Sequence, residues 1–173
     1  MNSDKYDIII RKWADNYEIP FCLAKAVVRW ESSFREDAVS RCGAKGLMQL
    51  MPGLYREAGI DPLDPDSNVR VGCAYLRRLW NIFKAEKGIE RWKFALGAYN
   101  AGMHYIFDAQ RRANKAEAKD YKWYHVSMFL NRARFWERKC DWKQATEYVD
   151  RIMERMYNYI IEHASNMNGK KEE

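Results

Sequence analysis

Glu31 closes an otherwise apolar stretch, with Trp30 beside it and Phe34 three residues on. On position alone it is a solvated carboxylate at a helix end. Held instead among apolar side chains, the carboxyl group would be desolvated, its pKa would rise, and it would keep its proton near neutral pH, as a general acid requires. Gly46-Leu47-Met48-Gln49 lies a short loop downstream. Its glycine would let backbone approach a ligand closely, and the Gln49 amide offers both a donor and an acceptor. Met48 and Met51 would either pack in a core or line an apolar floor. Tyr99 and Asn100 stand just before Gly102, where a core ring and a helix C-cap are the plain reading. Ser40 is by itself only a loop serine.

These side chains need a scaffold, and the apolar period is helical almost throughout. Tyr6, Ile9, Ile10, Trp13 and Tyr17 follow one helix face. Pro20 suits the first turn of a second helix, where its missing N–H costs nothing. That helix runs through Leu23, Ala26, Val27 and Trp30 to about Phe34, and the stretch from Arg35 to Leu47 is a loop. Pro52 opens a short helix that Gly59 ends. Asp66 or Ser67 caps the next, whose face is Val69, Cys73, Leu76, Leu79, Trp80 and Phe83. Gly88 breaks the pattern, and a helix with Trp92, Phe94, Ala95 and Tyr99 ends at Gly102. Residues 103–139 read as helical. The last helix, from about Gln144 to His163, buries Val149, Ile152, Met153, Met156 and Ile160, and the tail after it is frayed. With no internal repeat, no alternating strand and no interdomain linker, the expectation is a compact all-α fold forming one domain over 1–173.

Composition narrows the function. The chain is 47% apolar and 31% charged, which is globular rather than disordered. Rings reach 14%, and they either fill the core or supply the aromatic faces that sugar-binding clefts use. A net charge of +6 suits an anionic partner: nucleic acid, lipid or a bacterial wall. With no basic run of five and no zinc-finger spacing, nucleic acid is not the expected partner. Cys22, Cys42, Cys73 and Cys140 form no C-x-x-C pair, so no metal site is expected. Cys22 and Cys73 read as buried thiols, while Cys42 could pair outside the cytoplasm. The start Met1-Asn2-Ser3-Asp4-Lys5 lacks the features of a secretory signal, and no apolar run is long enough for membrane insertion.

Three blocks carry a resemblance. Glu31-Ser32-Ser33-Phe34, Gly46-Leu47-Met48-Gln49-Leu50-Met51-Pro52 and Ala98-Tyr99-Asn100-Ala101-Gly102 together resemble the signature of the family 1 lytic transglycosylases, the soluble-transglycosylase-like branch of the lysozyme-like superfamily. The match extends through Asp64-Pro65-Asp66-Ser67-Asn68-Val69, Gly72 and Tyr75-Leu76 to Tyr148-Val149 and Ile152, over residues 17 to 157. It implies a goose-type-lysozyme-like helical domain with a glycan-binding cleft. It makes Glu31 the one catalytic carboxylate and places the Tyr99 hydroxyl near it. Ser40, Gln49, Met51, Asn100 and Tyr148 become substrate-binding residues. Two departures stand out: Gln144 replaces the family's usual glutamate, and the gap from Gly102 to Tyr148, rich in rings that include Tyr121 and Trp136, is longer than is typical. That segment is either an extra helix pair packed on the core or an added cleft wall.

The implied reaction breaks the bond between N-acetylmuramic acid and N-acetylglucosamine without water and leaves a 1,6-anhydro end. It needs no cofactor, and its partner is the peptidoglycan strand, met by a monomer. A hydrolytic lysozyme is the rival within the superfamily. It would need a second acid to activate water, and Glu36 and Asp37, the acids between Glu31 and Gly46, are expected to face solvent. A non-catalytic wall-binding protein is the reading from another class. The expected setting is the cell wall, reached by a phage lysin or virion component, or through a secretion apparatus.

Overall fold

The computed structural model describes residues 4–116, 122–135, 138–139 and 141–169. The chain divides into two compact units, one drawn from Met1–Tyr75 and Arg151–Glu173, the other from Leu76–Asp150.

In the first unit, α1 (Asp7–Asn16) lays Ile10 and Ala14 against α2 (Phe21–Ser32). Leu23, Ala24, Ala26, Val27 and Val28 of α2 are all buried, because this helix is apolar on several faces and has to be central. Pro20 is its N-cap rather than its first helical residue, with φ −55° already in the value proline imposes. The short α3 (Pro52–Glu57) opens on its proline, and Gly59 turns the chain with φ +61°. At the start of α4 (Pro65–Ile82) the cap is Asp64, not Asp66 or Ser67. The Asp64 carboxylate accepts from the Ser67 N–H at 2.9 Å, and hydrogen bonds from Ser67 hold it below the usual aspartate range. Asp66 instead accepts from Lys12 Nζ and Trp13 Nε1. The last helix, α8 (Trp142–Gly169), buries Ile152, Met153 and Met156 in this unit. Ile160 is 46% exposed, contrary to expectation, because the buried stripe of α8 gives out before that turn.

One buried charge ties the chain start to α2. The Lys25 ammonium, 6% exposed, donates to Asp7 at 2.8 Å and Asp4 at 2.9 Å. Burial alone would lower its pKa, but the Asp7 and Asp4 hydrogen bonds outweigh burial and raise it above the usual 10.5. A raised folded-state pKa means that the stabilisation is complete below the unfolded value and is lost as pH rises through the folded one. The melting temperature is therefore expected to fall as pH passes above 10.5, and Lys25→Met should flatten that part of the curve. Parallel curves for the two proteins would refute this account.

In the second unit, Leu76 and Leu79 of α4 and Phe83 just beyond it are buried. α5 (Gly88–Ala101) packs on α6 (Met103–Lys115) and on the short α7 (Trp123–Ser127). The expected continuous helical stretch over 103–139 is not found. Helix stops at Lys115, and beyond α7 come a 3-10 turn at Leu130–Arg132 and a two-residue antiparallel pairing of β1 (Arg134–Phe135) with β2 (Arg138–Lys139). Five-residue helices do not persist without tertiary support, and α7 gets it from Trp123, which is buried and packs edge-on against Phe94 at 5.6 Å. A Cβ at Gly97 would stand 2.3 Å from the Trp123 ring. Gly97→Ala should cost about 1–3 kcal/mol, read as a lowered urea midpoint with a loss of near-ultraviolet tryptophan signal.

Of the cysteines, Cys73 is buried, as expected, and desolvation pushes its thiol up to about 12. Cys22 is only half-buried, contrary to expectation, because it stands off the inner stripe of α2; Cys42 is exposed, and both are free thiols. Tyr121, Trp136, Cys140 and the tail 170–173 lie outside the described residues.

Candidate functional site

Glu31 sits in the last turn of α2, partly accessible, between Trp30 at 43% exposure and the buried Ser32. The Ser32 hydroxyl turns inward and donates to Val28 O at 3.1 Å. Immediately beyond, Ser33 (φ 54°) and Phe34 (φ 62°) are both left-handed, and neither is glycine. Two such residues in succession cost about 1–2 kcal/mol each, and the conformation persists because Phe34 is anchored in the core at 6% exposure. The turn ends the helix directly behind Glu31 and leaves its side chain at the helix terminus. Nothing in residue propensity marks such a turn, and sequence reasoning missed it.

The loop that follows is built on itself. Ser40 Oγ accepts from the Ala44 N–H at 2.9 Å, and short bridges join Val39 to Lys45 and Lys45 to Leu50. Gln49, left-handed at φ 48°, donates both amide hydrogens to backbone, at 3.0 Å to Ala38 O and 2.9 Å to Gly46 O. Its donors are therefore spent on the loop, and Oε1 is the atom it retains for an outside partner. Met51 is 52% exposed at the N-cap of α3, whereas Met48 is fully buried, so of the two only Met51 presents an apolar surface.

Asn68 organises this loop. It is fully buried on α4, its Oδ1 accepts from the Met48 N–H at 2.8 Å, and its Nδ2 donates to Lys45 O at 3.0 Å and Pro62 O at 2.7 Å. Gly46, with φ +78°, is glycine for this reason, not to admit a ligand. A Cβ there would lie 2.2 Å from both Asn68 Nδ2 and Pro62 O. The available signal was an amide four residues before Gly72, on a face that continues to the buried Leu76.

In the second unit, Tyr99 and Asn100 occupy the last turn of α5, both partly accessible. The cap is Gly102, with φ 97°, whose N–H donates to Ala98 O at 2.9 Å, so Asn100 is not needed as a cap. Tyr148 is fully buried and Gln144 is exposed.

Glu36 faces solvent, as expected, with its side chain 44% exposed, and its Oε2 also accepts from the Tyr6 hydroxyl and the Lys5 ammonium. Those two bonds, the Tyr6 one first, hold its pKa below the usual range. Asp37 is exposed. Among the described residues, no group of His, Cys, Asp and Glu is arranged to hold a metal ion, and no helix is long and apolar enough to cross a membrane.

Comparison with known proteins extends this picture. The family model for the Transglycosylase SLT domain matches residues 8–122. The membrane-bound lytic murein transglycosylase F of Desulfosudis oleivorans is 32% identical over 154 residues, covering 84% of this chain and 34% of that protein. Its namesake in Vibrio campbellii is 30% identical over 175 residues, covering 93% and 31%. The chain thus spans about a third of the length of these curated relatives. Among solved structures, the lytic transglycosylase Slt of Pseudomonas aeruginosa, determined as an inactive glutamate-to-glutamine variant, aligns with TM-score 0.66 and 26% identity over 90% of this chain and 24% of that one. The 70 kDa soluble lytic transglycosylase of Escherichia coli aligns with TM-score 0.68 over 91% and 25%, and at 24% identity it speaks to fold alone. The all-α, lysozyme-like fold expected from the sequence is the fold found.

Proposed function

Because the chain belongs to the Transglycosylase SLT domain family, we propose that it is a peptidoglycan lytic transglycosylase whose single essential carboxyl group is that of Glu31. The observation that carries the reading is the placement of Glu31, a partly accessible acid in the last turn of a helix whose inner faces are buried. The curated relatives bear the name lytic murein transglycosylase.

In the proposed reaction Glu31 gives its proton to the oxygen linking N-acetylmuramic acid to N-acetylglucosamine, and the bond from that oxygen to the muramyl C1 breaks. The acetamide oxygen of the same muramyl sugar stabilises the cation at C1. The Glu31 carboxylate then takes the proton of the C6 hydroxyl, O6 bonds to C1, and a 1,6-anhydro ring closes with Glu31 protonated again. No water is consumed and no cofactor is required. An intramolecular nucleophile gains its rate from proximity, which offsets the missing second carboxylate of ordinary glycosidases. Of the two neighbouring acids on which hydrolysis could draw, Glu36 is already engaged by Tyr6 and Lys5 and Asp37 is exposed.

The remaining residues take graded roles in this proposal. The Ser40 hydroxyl and Gln49 Oε1 meet acetamide or hydroxyl groups, and Met51 gives an apolar floor. Tyr99 and Asn100 bond the reacting sugars. Tyr148, having no accessible surface, acts by positioning other groups. The family match crosses the boundary between the two units inside α4, which supports one domain, and calorimetry should then show a single transition. The proposed protein is a monomer that works on the wall and binds no nucleic acid. Its proposed setting is a phage lysin or virion component, checked by its detection in purified virions.

Digestion of purified sacculi in water enriched in oxygen-18 tests the reaction. Mass spectrometry should find anhydro-muramyl ends, one water lighter than reducing ends and free of label. Labelled reducing ends would establish hydrolysis instead.

A further inference from the structure

Residues 4–7, at the head of α1, hold the chain on both sides of Glu31, all within the first unit. Before Glu31, Asp4 and Asp7 accept from the buried Lys25 ammonium of α2. After it, the Tyr6 hydroxyl donates to Glu36 Oε2, and Lys5 Nζ reaches the same oxygen at 3.2 Å. Tyr6 is the firmer of these two anchors. It is 4% exposed, and its carbonyl accepts from the Ile10 N–H at 2.9 Å, whereas the Lys5 side chain is 59% exposed. Between the two points of attachment lies the left-handed pair Ser33 and Phe34, and strained backbone of this kind persists only where its surroundings over-determine it. The Ser33 N–H donates to Arg29 O at 3.0 Å. The Arg35 N–H at 3.1 Å and Arg35 Nε at 3.3 Å both donate to Ser32 O, one residue from Glu31. Glu36 follows directly, so a hydroxyl that fixes Glu36 also keeps Arg35 against Ser32.

We infer that Tyr6 is a positioning residue for the transglycosylase step: through Glu36 it fixes the turn behind Glu31, and with it the place of the Glu31 carboxyl. The inference rests on the function proposed above and adds to it two residues that act on the turn and not on the sugar. Neither moves a proton in the reaction. The hydrogen bond is charge-assisted, a phenol donating to a carboxylate, which makes it stronger than a bond between neutral groups. The loop that carries Gln49 joins the same stretch, because Ala38 O accepts from the Gly46 N–H at 2.9 Å and from Gln49 Nε2 at 3.0 Å. That loop has a second and independent support in Asn68, which bonds the Met48 N–H and Lys45 O. Releasing Tyr6 therefore shifts Glu31 while the loop keeps its place. An acid displaced in this way still meets bound substrate but delivers its proton poorly, so the loss falls on kcat rather than on KM.

The test uses the full chain with four substitutions. Tyr6→Phe keeps the buried ring and removes only the hydroxyl, so folding should hold, and circular dichroism checks it. Its kcat on purified glycan strands should fall about tenfold with KM unchanged, since a displacement of about 1 Å can cost about 10²-fold and a partial one less. Glu36→Ala should match it. Glu36→Gln should keep most of the activity, because its amide oxygen still accepts from Tyr6. Lys5→Met should change little, since exposed ion pairs contribute weakly. Hydrogen exchange gives a second readout: the Ser33 and Arg35 amides should exchange faster in Tyr6→Phe and Glu36→Ala but not in Glu36→Gln. An unchanged kcat in Tyr6→Phe, a loss confined to KM, or unchanged exchange at those amides would overturn the inference. So would a loss in Glu36→Gln as large as in Glu36→Ala, because the carboxylate itself would then be taking part. Failure of wild type to cleave the strands would instead count against the proposed function, and the exchange measurement would still decide whether Tyr6 holds the turn.

Discussion

Glu31→Gln is expected to reduce cleavage of purified sacculi by about 10²–10⁴-fold, the range spanned by general acid–base catalysis, with the melting temperature nearly unchanged. Glutamine keeps the size of the side chain and can still hydrogen bond, but it cannot hand over a proton and take one back. The proposed reaction asks Glu31 to do both. Stability should hold because α2 is fixed by Leu23, Ala24, Ala26, Val27 and Val28 beneath it, and Glu31 adds only a partly accessible carboxyl at its end. Glu31→Asp separates position from chemistry. It retains the acid but withdraws it by one methylene, and a displacement of about 1 Å can cost about 10²-fold. Residual activity should therefore rank wild type, then aspartate, then glutamine. Unchanged zymogram activity in folded Glu31→Gln would end the mechanism. A folded variant that loses lysis but still binds sacculi would exclude the reading of the protein as a wall-binding module alone.

The residues that fix the site differ in how far the sequence exposes them. Helix periods are visible where the buried stripe is continuous, as along Val69, Cys73, Leu76, Leu79 and Phe83, all of them buried. Pro52 and Gly59 punctuate α3 as their backbone restrictions require. Glu31 stands out as an acid ending an apolar run, and that conspicuousness is also a physical fact about its position. Other features leave no such trace. Ser33, Phe34 and Gln49 adopt left-handed backbone although their types carry no preference for it, so only the tertiary anchoring of Phe34 and the Gln49 amide bonds reveal why. Gly46 shows the converse ambiguity. A glycine signals close approach, but the approaching atoms are Asn68 Nδ2 and Pro62 O rather than a ligand. Among the described residues of 116–139 the helical pieces are too short to hold themselves, and what holds α7 is the packing of Trp123 against α5.

Asn68→Ala should be among the most destabilising single changes in the first unit. The substitution removes three hydrogen bonds and leaves the Met48 N–H and Pro62 O without theirs, while Lys45 O keeps the bond it accepts from the Leu50 N–H at 3.0 Å, in a site where Asn68 itself has no exposure. At about 1–3 kcal/mol for each buried group left unsatisfied, less whatever water can enter to repair, the cost should be about 3–5 kcal/mol. For a chain of this size that is a fall of roughly 10–15 °C in melting temperature. Asn68→Asp refines the argument through pH. Its carboxylate would keep an acceptor for Met48 but set an anionic oxygen against the Lys45 and Pro62 carbonyls, so its folded-state pKa should be raised. An acid with a raised folded pKa destabilises as pH climbs past its unfolded value near 4. The aspartate variant should accordingly recover part of its stability at acid pH relative to wild type, while the alanine variant should not. Gly46→Ala reaches the same contact from the other side, since its Cβ would collide with Asn68 Nδ2 and Pro62 O. The two substitutions break one arrangement, so the double variant should lose clearly less than the sum of the two single losses. Full additivity would mean that Asn68 and Gly46 stabilise the protein independently, and that the loop carrying Gln49 and Met51 is fixed by other contacts.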